Sequence, residues 1–206
     1  VSGSGKTTLV LESLVPALRA QLAGEALPGH VRDVDAAGMS RVNLIDATPI
    51  GVNVRSTVAT YSGVLDELRR AFARTEEATA AGLKAGAFSY NTGSLRCATC
   101  DGTGQITLDV QFLPDVDIEC TQCRGSRYGT QANEIRREGL SLPEIMTMSV
   151  DEARVAVRGL KKAGALLETL SSLGLGYLTL GEATPALSGG EAQRLKLASE
   201  MGRRQD

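Results

Sequence analysis

The chain has 206 residues, of which 42% are hydrophobic and 22% charged, with 22 Lys and Arg against 24 Asp and Glu and a formal net charge of -2. That length allows one large domain or two small ones. No apolar run approaches the roughly 20 residues of a membrane helix and no secretory leader opens the chain, so a cytoplasmic protein is expected, and any polyanion partner must meet a local basic surface.

The first residues, Val1-Ser2-Gly3-Ser4-Gly5-Lys6-Thr7-Thr8, run into Leu9, Val10, Leu14 and Leu18 at helical spacing. They fit a phosphate-binding loop, G-x-x-x-x-G-K-[ST], whose first glycine would fall one position before Val1, as expected of a piece of a longer chain. Glycines let successive N–H groups curl around phosphate oxygens, and the helix that follows turns its positive end to the anion. Lys6 is expected on the terminal phosphates and the Thr7 hydroxyl on Mg2+. Gly3, Ser4, Gly5, Lys6, Thr7 and Thr8 are therefore the candidate residues for ATP or ADP.

Residues 21–40 read as a connection, with the sole histidine, His30, in a surface loop. Residues 41–46 read as a short strand, stopped by Thr48-Pro49 and Gly51. From Tyr61 to about Ala81, Val64, Leu65, Leu68 and Phe72 predict an amphipathic helix, broken by Gly82 and Gly86.

The four cysteines are Cys97, Cys100, Cys120 and Cys123, two C-x-x-C pairs nineteen residues apart. This spacing suits a structural zinc site in which each pair supplies two thiolates. Asp101-Gly102 and Arg124-Gly125 follow the pairs in register, as tight turns that aim amides at sulfur require. An all-thiolate shell leaves no open position for catalysis. Reduced core thiols or a redox pair are the other readings. An alternating strand is predicted over 106–112. Charges in the module are mixed, and basic residues gather after the second pair. Arg124 and Arg127 are thus candidate contacts to a phosphate backbone, against the alternative of a solvated rim. Residues 97–104 also match the C-x-x-C-x-G-x-G repeat of DnaJ-type chaperones, which keeps a zinc-stapled protein-interaction module as an alternative.

Ser141-Leu142-Pro143-Glu144 and Ser149-Val150-Asp151-Glu152 fit the capping box that starts a helix. A further helix is predicted from Lys161 to Leu173. Leu187-Ser188-Gly189-Gly190-Glu191-Ala192-Gln193-Arg194 then opens a last helix with bare backbone and a serine hydroxyl at its start.

That last segment resembles the LSGGQ signature of ABC ATPases, with Glu191 in place of Gln. The resemblance implies that Ser188, Gly189, Gly190 and Glu191 complete a nucleotide site on an opposing ATPase domain. A transporter domain is disfavoured by the long insertion and the cysteines. The order of P-loop, insertion, four-cysteine module and LSGGEAQR resembles the UvrA family of excinuclease ABC proteins. More specific are Thr60-Tyr61-Ser62-Gly63-Val64, Phe88-Ser89-Tyr90-Asn91, Gln111-Phe112-Leu113-Pro114-Asp115, residues 123–128 and the run from Leu175 to Ala198.

The family implies an α/β fold: a fragment of an ABC-type P-loop ATPase core (1–58), an inserted signature-associated domain (59–175, zinc module near 95–135) and the signature loop with its helix (176–206). It also implies binding of damaged double-stranded DNA in nucleotide excision repair, a homodimer, and loading of a UvrB-like partner. Asp46-Ala47-Thr48-Pro49-Ile50-Gly51 stands where the family has Asp-Gln-Ser-Pro-Ile-Gly, so the Q-loop glutamine is Ala47. The basic stretch expected at Val52-Asn53-Val54 and the Gly-Gly before Cys97 also differ. These departures raise the alternative of a paralogue serving resistance to DNA-binding drugs. With no Walker B carboxylate in the sequence, the chain by itself is expected not to hydrolyse ATP.

Overall fold

Gly5 adopts a left-handed conformation (φ 76°) and leads into α1 (Lys6–Thr8). The helical path continues through a π-helical segment (Leu9–Leu14) into α2 (Val15–Ala23), which ends on left-handed Gly24. The structure, a computed structural model, describes residues 5–45, 50, 53–108 and 116–202. Val15, Ala17, Leu18 and Ala20 of α2 are buried, as is Ala36, whose N–H is held by the Gln21 side chain at 2.8 Å. His30 is exposed, as expected, and its ring shares a 3.1 Å hydrogen bond with the Ser13 hydroxyl. The strand expected at 41–46 is not formed over 41–45. Both two-stranded sheets of the described residues are built from other segments.

Contacts group the chain into two compact units, Val1–Asp46 and Ala47–Asp206. Residues 53–58 and 176–202, assigned from sequence apart from 59–175, therefore fold together with it. The reason is backbone hydrogen bonding. Val58 and Ala59 donate to Glu182 O and Leu180 O, both at 3.0 Å, and Thr184 donates to Ser56 O at 2.8 Å.

In the second unit, the single helix expected over Tyr61 to Ala81 is three: α3 (Val58–Tyr61), α4 (Val64–Phe72) and α5 (Glu76–Ala80). Thr57 caps α3, and the Ser62 hydroxyl bonds back to Val58 O at 2.7 Å. Left-handed Gly63 (φ 81°) then redirects the chain. The apolar stripe of Val64, Leu65, Leu68 and Phe72 is buried as read from its spacing.

Two antiparallel hairpins follow. β1 (Gln105–Leu108) pairs with β2 (Val116–Glu119), and β3 (Arg136–Arg137) with β4 (Leu140–Ser141). The second turns on Glu138 and Gly139, both with positive φ, as a two-residue hairpin loop prefers. Both expected capping boxes form, opening α6 (Leu142–Met146) and α7 (Val150–Ala156). α8 (Lys161–Leu170) runs on as a π turn over Ser171–Leu175 that contains left-handed Gly174. α9 (Gly189–Gly202) closes the described chain.

Phe72, Phe88, Tyr90, Leu142, Met146, Leu167, Leu170 and Leu195 are fully buried in one cluster. Each contributes about 1.5–3 kcal/mol by leaving water. Among the described residues no helix is long and apolar enough to cross a membrane.

Candidate functional site

The two cysteine pairs form the same turn twice. After Cys100, the left-handed residues are Asp101 (φ 50°), Gly102 (77°) and Gly104 (79°); after Cys123 they are Arg124 (47°), Gly125 (72°) and Arg127 (72°). In both turns the third residue past the second cysteine donates to that cysteine's carbonyl, at 3.0 Å. In the first turn the fourth residue also donates its N–H to sulfur, Gly104 to Cys100 Sγ at 3.3 Å. The turns are then cross-linked reciprocally. Cys120 N–H donates to Gly104 O and Cys97 N–H to Arg127 O, both at 2.9 Å. At Gly102 a Cβ would lie 1.8 Å from Tyr90 O, so only glycine fits. Gly93, in the stretch where the family's Gly-Gly is incomplete, is equally constrained, with a hypothetical Cβ 2.2 Å from Ala87 O.

All four Sγ atoms lie within 4.8 Å of one another and all four cysteines are buried. Cys97 and Cys120 Sγ are 4.0 Å apart, and Cys100 and Cys123 Sγ 3.7 Å. A tetrahedron with metal–sulfur bonds of about 2.3 Å has edges of about 3.8 Å. The residues present therefore fit a zinc ion held by four thiolates. Burial raises the Cys100 thiol, but the Gly104 amide and the Cys123 and Cys97 thiols outweigh it and bring the group down to about 7. Burial pushes Cys123 the other way, well above an ordinary thiol. Without a cation the cluster shares protons between neighbouring sulfurs, and a divalent ion would replace them.

The hairpin β1–β2 rises from this cluster. Ile106, Leu108, Val116 and Ile118 share one side, and Ile106 packs on the cysteines. Leu108, Val116 and Ile118 are exposed. The opposite side carries Thr107, bonded to Asp117 at 2.6 Å, and Glu119 across from Gln105.

The two arginines read as candidate DNA contacts separate sharply. Arg124 is exposed and its side chain makes no ion pair among the described residues. Arg127 is only 5% exposed and is withdrawn as a surface contact. Its guanidinium donates to Val54 O at 2.9 Å and sits 5.2 Å over the Tyr90 ring. The Tyr90 hydroxyl donates in turn to Arg55 O at 2.9 Å. Nothing in the local charge pattern marked Tyr90, Arg55 or Asp101 as functional, because their partners are far away in sequence.

At the signature loop, the Ser188 N–H donates to the Glu191 carboxylate at 2.7 Å and the Ser188 hydroxyl accepts from Glu191 N–H at 3.4 Å. The Tyr177 hydroxyl also donates to Glu191. The Tyr177 hydrogen bond first, and then Ser188, hold the Glu191 carboxyl below the usual range. Glu191 thus closes a capping box and its charge is spent on the helix start. Gly189 and Gly190 are exposed, and a Cβ on either would meet nothing within 4 Å. Packing within this chain does not require them to be glycine. At the other candidate loop, Lys6, Thr7 and Thr8 are exposed on the first turn after left-handed Gly5. Gly3, Ser4, residues 46–49 with the Q-loop position Ala47, and Gly51 lie outside the described residues.

No family model matches the chain. The UvrABC system protein A of Synechocystis sp. is 43% identical over 206 residues, 99% of this chain and 21% of that protein. That of Bacillus subtilis is 44% identical over 99% of this chain and 22% of its own length. The chain thus spans about a fifth of the curated relatives it matches. Among solved structures, UvrA2 from Deinococcus radiodurans superposes with a TM-score of 0.81 at 42% identity, over 98% of this chain and 24% of that one.

Proposed function

We propose that this chain, which belongs to the UvrA family, is the ATP-binding, zinc-stapled segment of a DNA-damage-recognition subunit of nucleotide excision repair. The observation that carries the reading is the match to UvrABC system protein A along 99% of the chain, which takes in the P-loop, the cysteine module and the signature together.

In this reading Gly3, Ser4, Gly5, Lys6, Thr7 and Thr8 hold the phosphates of ATP or ADP, with Mg2+ on Thr7. Ser188, Gly189 and Gly190 face the γ-phosphate bound by a second ATPase domain, and the open space over both glycines supports a ligand approaching from outside the chain. The P-loop and signature of one chain then serve two different nucleotides. Cys97, Cys100, Cys120 and Cys123 hold zinc, which supplies no chemistry beyond fixing the hairpin. Arg124 remains the candidate contact to the DNA backbone. The parent protein acts as a cytoplasmic homodimer that binds damaged duplex DNA and hands it to a UvrB-like partner.

The test uses the full-length protein that carries this segment, with a duplex bearing one bulky lesion and its undamaged counterpart. Salt-sensitive preference for the lesion is expected. Lys6→Ala should abolish its dependence on ATP, and Arg124→Ala should weaken binding to both duplexes. Equal affinity for the two duplexes, with or without ATP, would sink the repair reading.

The Ala47 position favours a second reading, a paralogue that protects against DNA-binding drugs. Deleting the gene would then sensitise cells to such drugs and leave survival after ultraviolet light unchanged.

A further inference from the structure

We propose that Arg127 is the buried counter-charge of the metal-loaded cysteine centre and positions it against residues 53–58. The inference rests on the zinc reading of the four cysteines and concerns a residue that holds no metal itself.

A guanidinium stays charged at any pH a protein meets, and burying it without an opposite charge is strongly unfavourable. Arg127 is buried, and among the described residues it pairs with no carboxylate. The ionisable groups that act on it are Tyr90, Cys100, Cys123 and Tyr128, and no carboxylate is among them. Its Nε–H is buried and finds no acceptor. Four thiolates around a divalent ion carry a net charge of -2, which is the missing partner.

The backbone agrees with this assignment. Arg127 occupies the turn position that Gly104 fills in the first knuckle, and both are left-handed, at 72° and 79°. A side chain is unfavourable there, so an arginine in that place is explained by what its side chain does. Its own main chain ties the second knuckle to the first, its carbonyl accepting from Cys97 N–H at 2.9 Å. The face of Tyr90 and Val54 O then fix the direction of the guanidinium, and Val54 O belongs to the segment that also bonds Thr184.

The experiment titrates Co2+ into the reduced, metal-free 206-residue chain and follows the thiolate-to-cobalt charge-transfer band. Zn2+ then displaces Co2+ in competition with a chelator, with far-UV circular dichroism recorded throughout. The parent chain is expected to bind one ion. Arg127→Gln should bind it about 10–100-fold more weakly, the usual effect of removing a residue that supports metal ligands. Arg127→Lys, which keeps the charge, should recover most of the loss. Binding by Arg127→Gln within about twofold of the parent, or an Arg127→Lys chain as weak as Arg127→Gln, overturns the proposal. If Arg127→Gln is unfolded at ordinary zinc, refolding at higher zinc supports it, and failure to fold at any zinc concentration counts against it. A parent chain that binds no metal removes the zinc reading itself, and the proposal with it.

Discussion

Arg55 grips Asp101 with both arms of its guanidinium, one N–H reaching the backbone carbonyl at 2.7 Å and the other the carboxylate at 2.9 Å. Arg96 takes the second carboxylate oxygen at 3.0 Å. Asp101 is the first left-handed residue of the first knuckle, so the grip holds the turn itself. One residue further along the same segment, Ser56 O accepts from both the N–H and the hydroxyl of Thr184, on the approach to the signature loop. A continuous set of hydrogen bonds therefore joins the cysteine module to that approach.

Asp101→Asn tests this strap. Asparagine tolerates the left-handed turn but loses both ion pairs. The Asp101 side chain is 57% exposed, so global stability should fall by less than about 1 kcal/mol. Hydrogen exchange at the Val58 and Thr184 amides should nevertheless speed up severalfold. Unchanged exchange at both would show that the grip does not order the segment.

Two glycines with similar backbone angles should respond very differently to alanine. Gly139 (φ 81°) has open space where a Cβ would stand, so Gly139→Ala should cost only the left-handed strain, about 1–2 kcal/mol. At Gly102 (φ 77°) the new methyl meets the Tyr90 carbonyl. Gly102→Ala should therefore lose clearly more stability in urea unfolding, and metal binding as well. Equal losses would mean that the knuckle does not pack on Tyr90 as described.

Cys120→Ser should abolish stoichiometric metal binding and open the β1–β2 hairpin to proteolysis. The cysteines form a cluster separate from the main core. Far-UV circular dichroism of the helices should therefore be largely kept. Collapse of the whole spectrum would show that the two clusters fold as one unit.

Acid should weaken the chain through its helix caps. The Glu144 and Glu152 carboxyls are held below the usual range, first by the N–H groups of Ser141 and Ser149 and then by the serine hydroxyls. Glu191 is held down first by Tyr177. A depressed carboxylate pKa contributes stability that is complete above the unfolded value of about 4.3 and is lost as pH falls through the lower folded value. Unfolding midpoints should therefore drop below about pH 4.3, and Glu144→Gln should flatten that drop. A slope identical in the variant would exclude Glu144 as a contributor.

Features legible in the sequence were those whose partners are close by. Ser141 and Glu144, and Ser149 and Glu152, meet three positions apart, so their capping boxes follow from local geometry alone. The C-x-x-C pairs and the glycines that follow them also belong to single turns, and the paired spacing announced a four-cysteine cluster that the structure assembles. The buried stripe of α4 was visible because one helix carries all of it.

Only the tertiary structure decided the rest. The helix expected from Tyr61 breaks because left-handed Gly63 turns the chain, and residues 41–45 stay irregular. Arg124 and Arg127 look alike as charges three residues apart, yet one is exposed and the other buried. The difference lies in Val54, 73 positions from Arg127, whose carbonyl receives the guanidinium. Local spacing determines what a turn or a helix start must do. It cannot say which charge is drawn inside, because that depends on groups brought together only when distant segments pack.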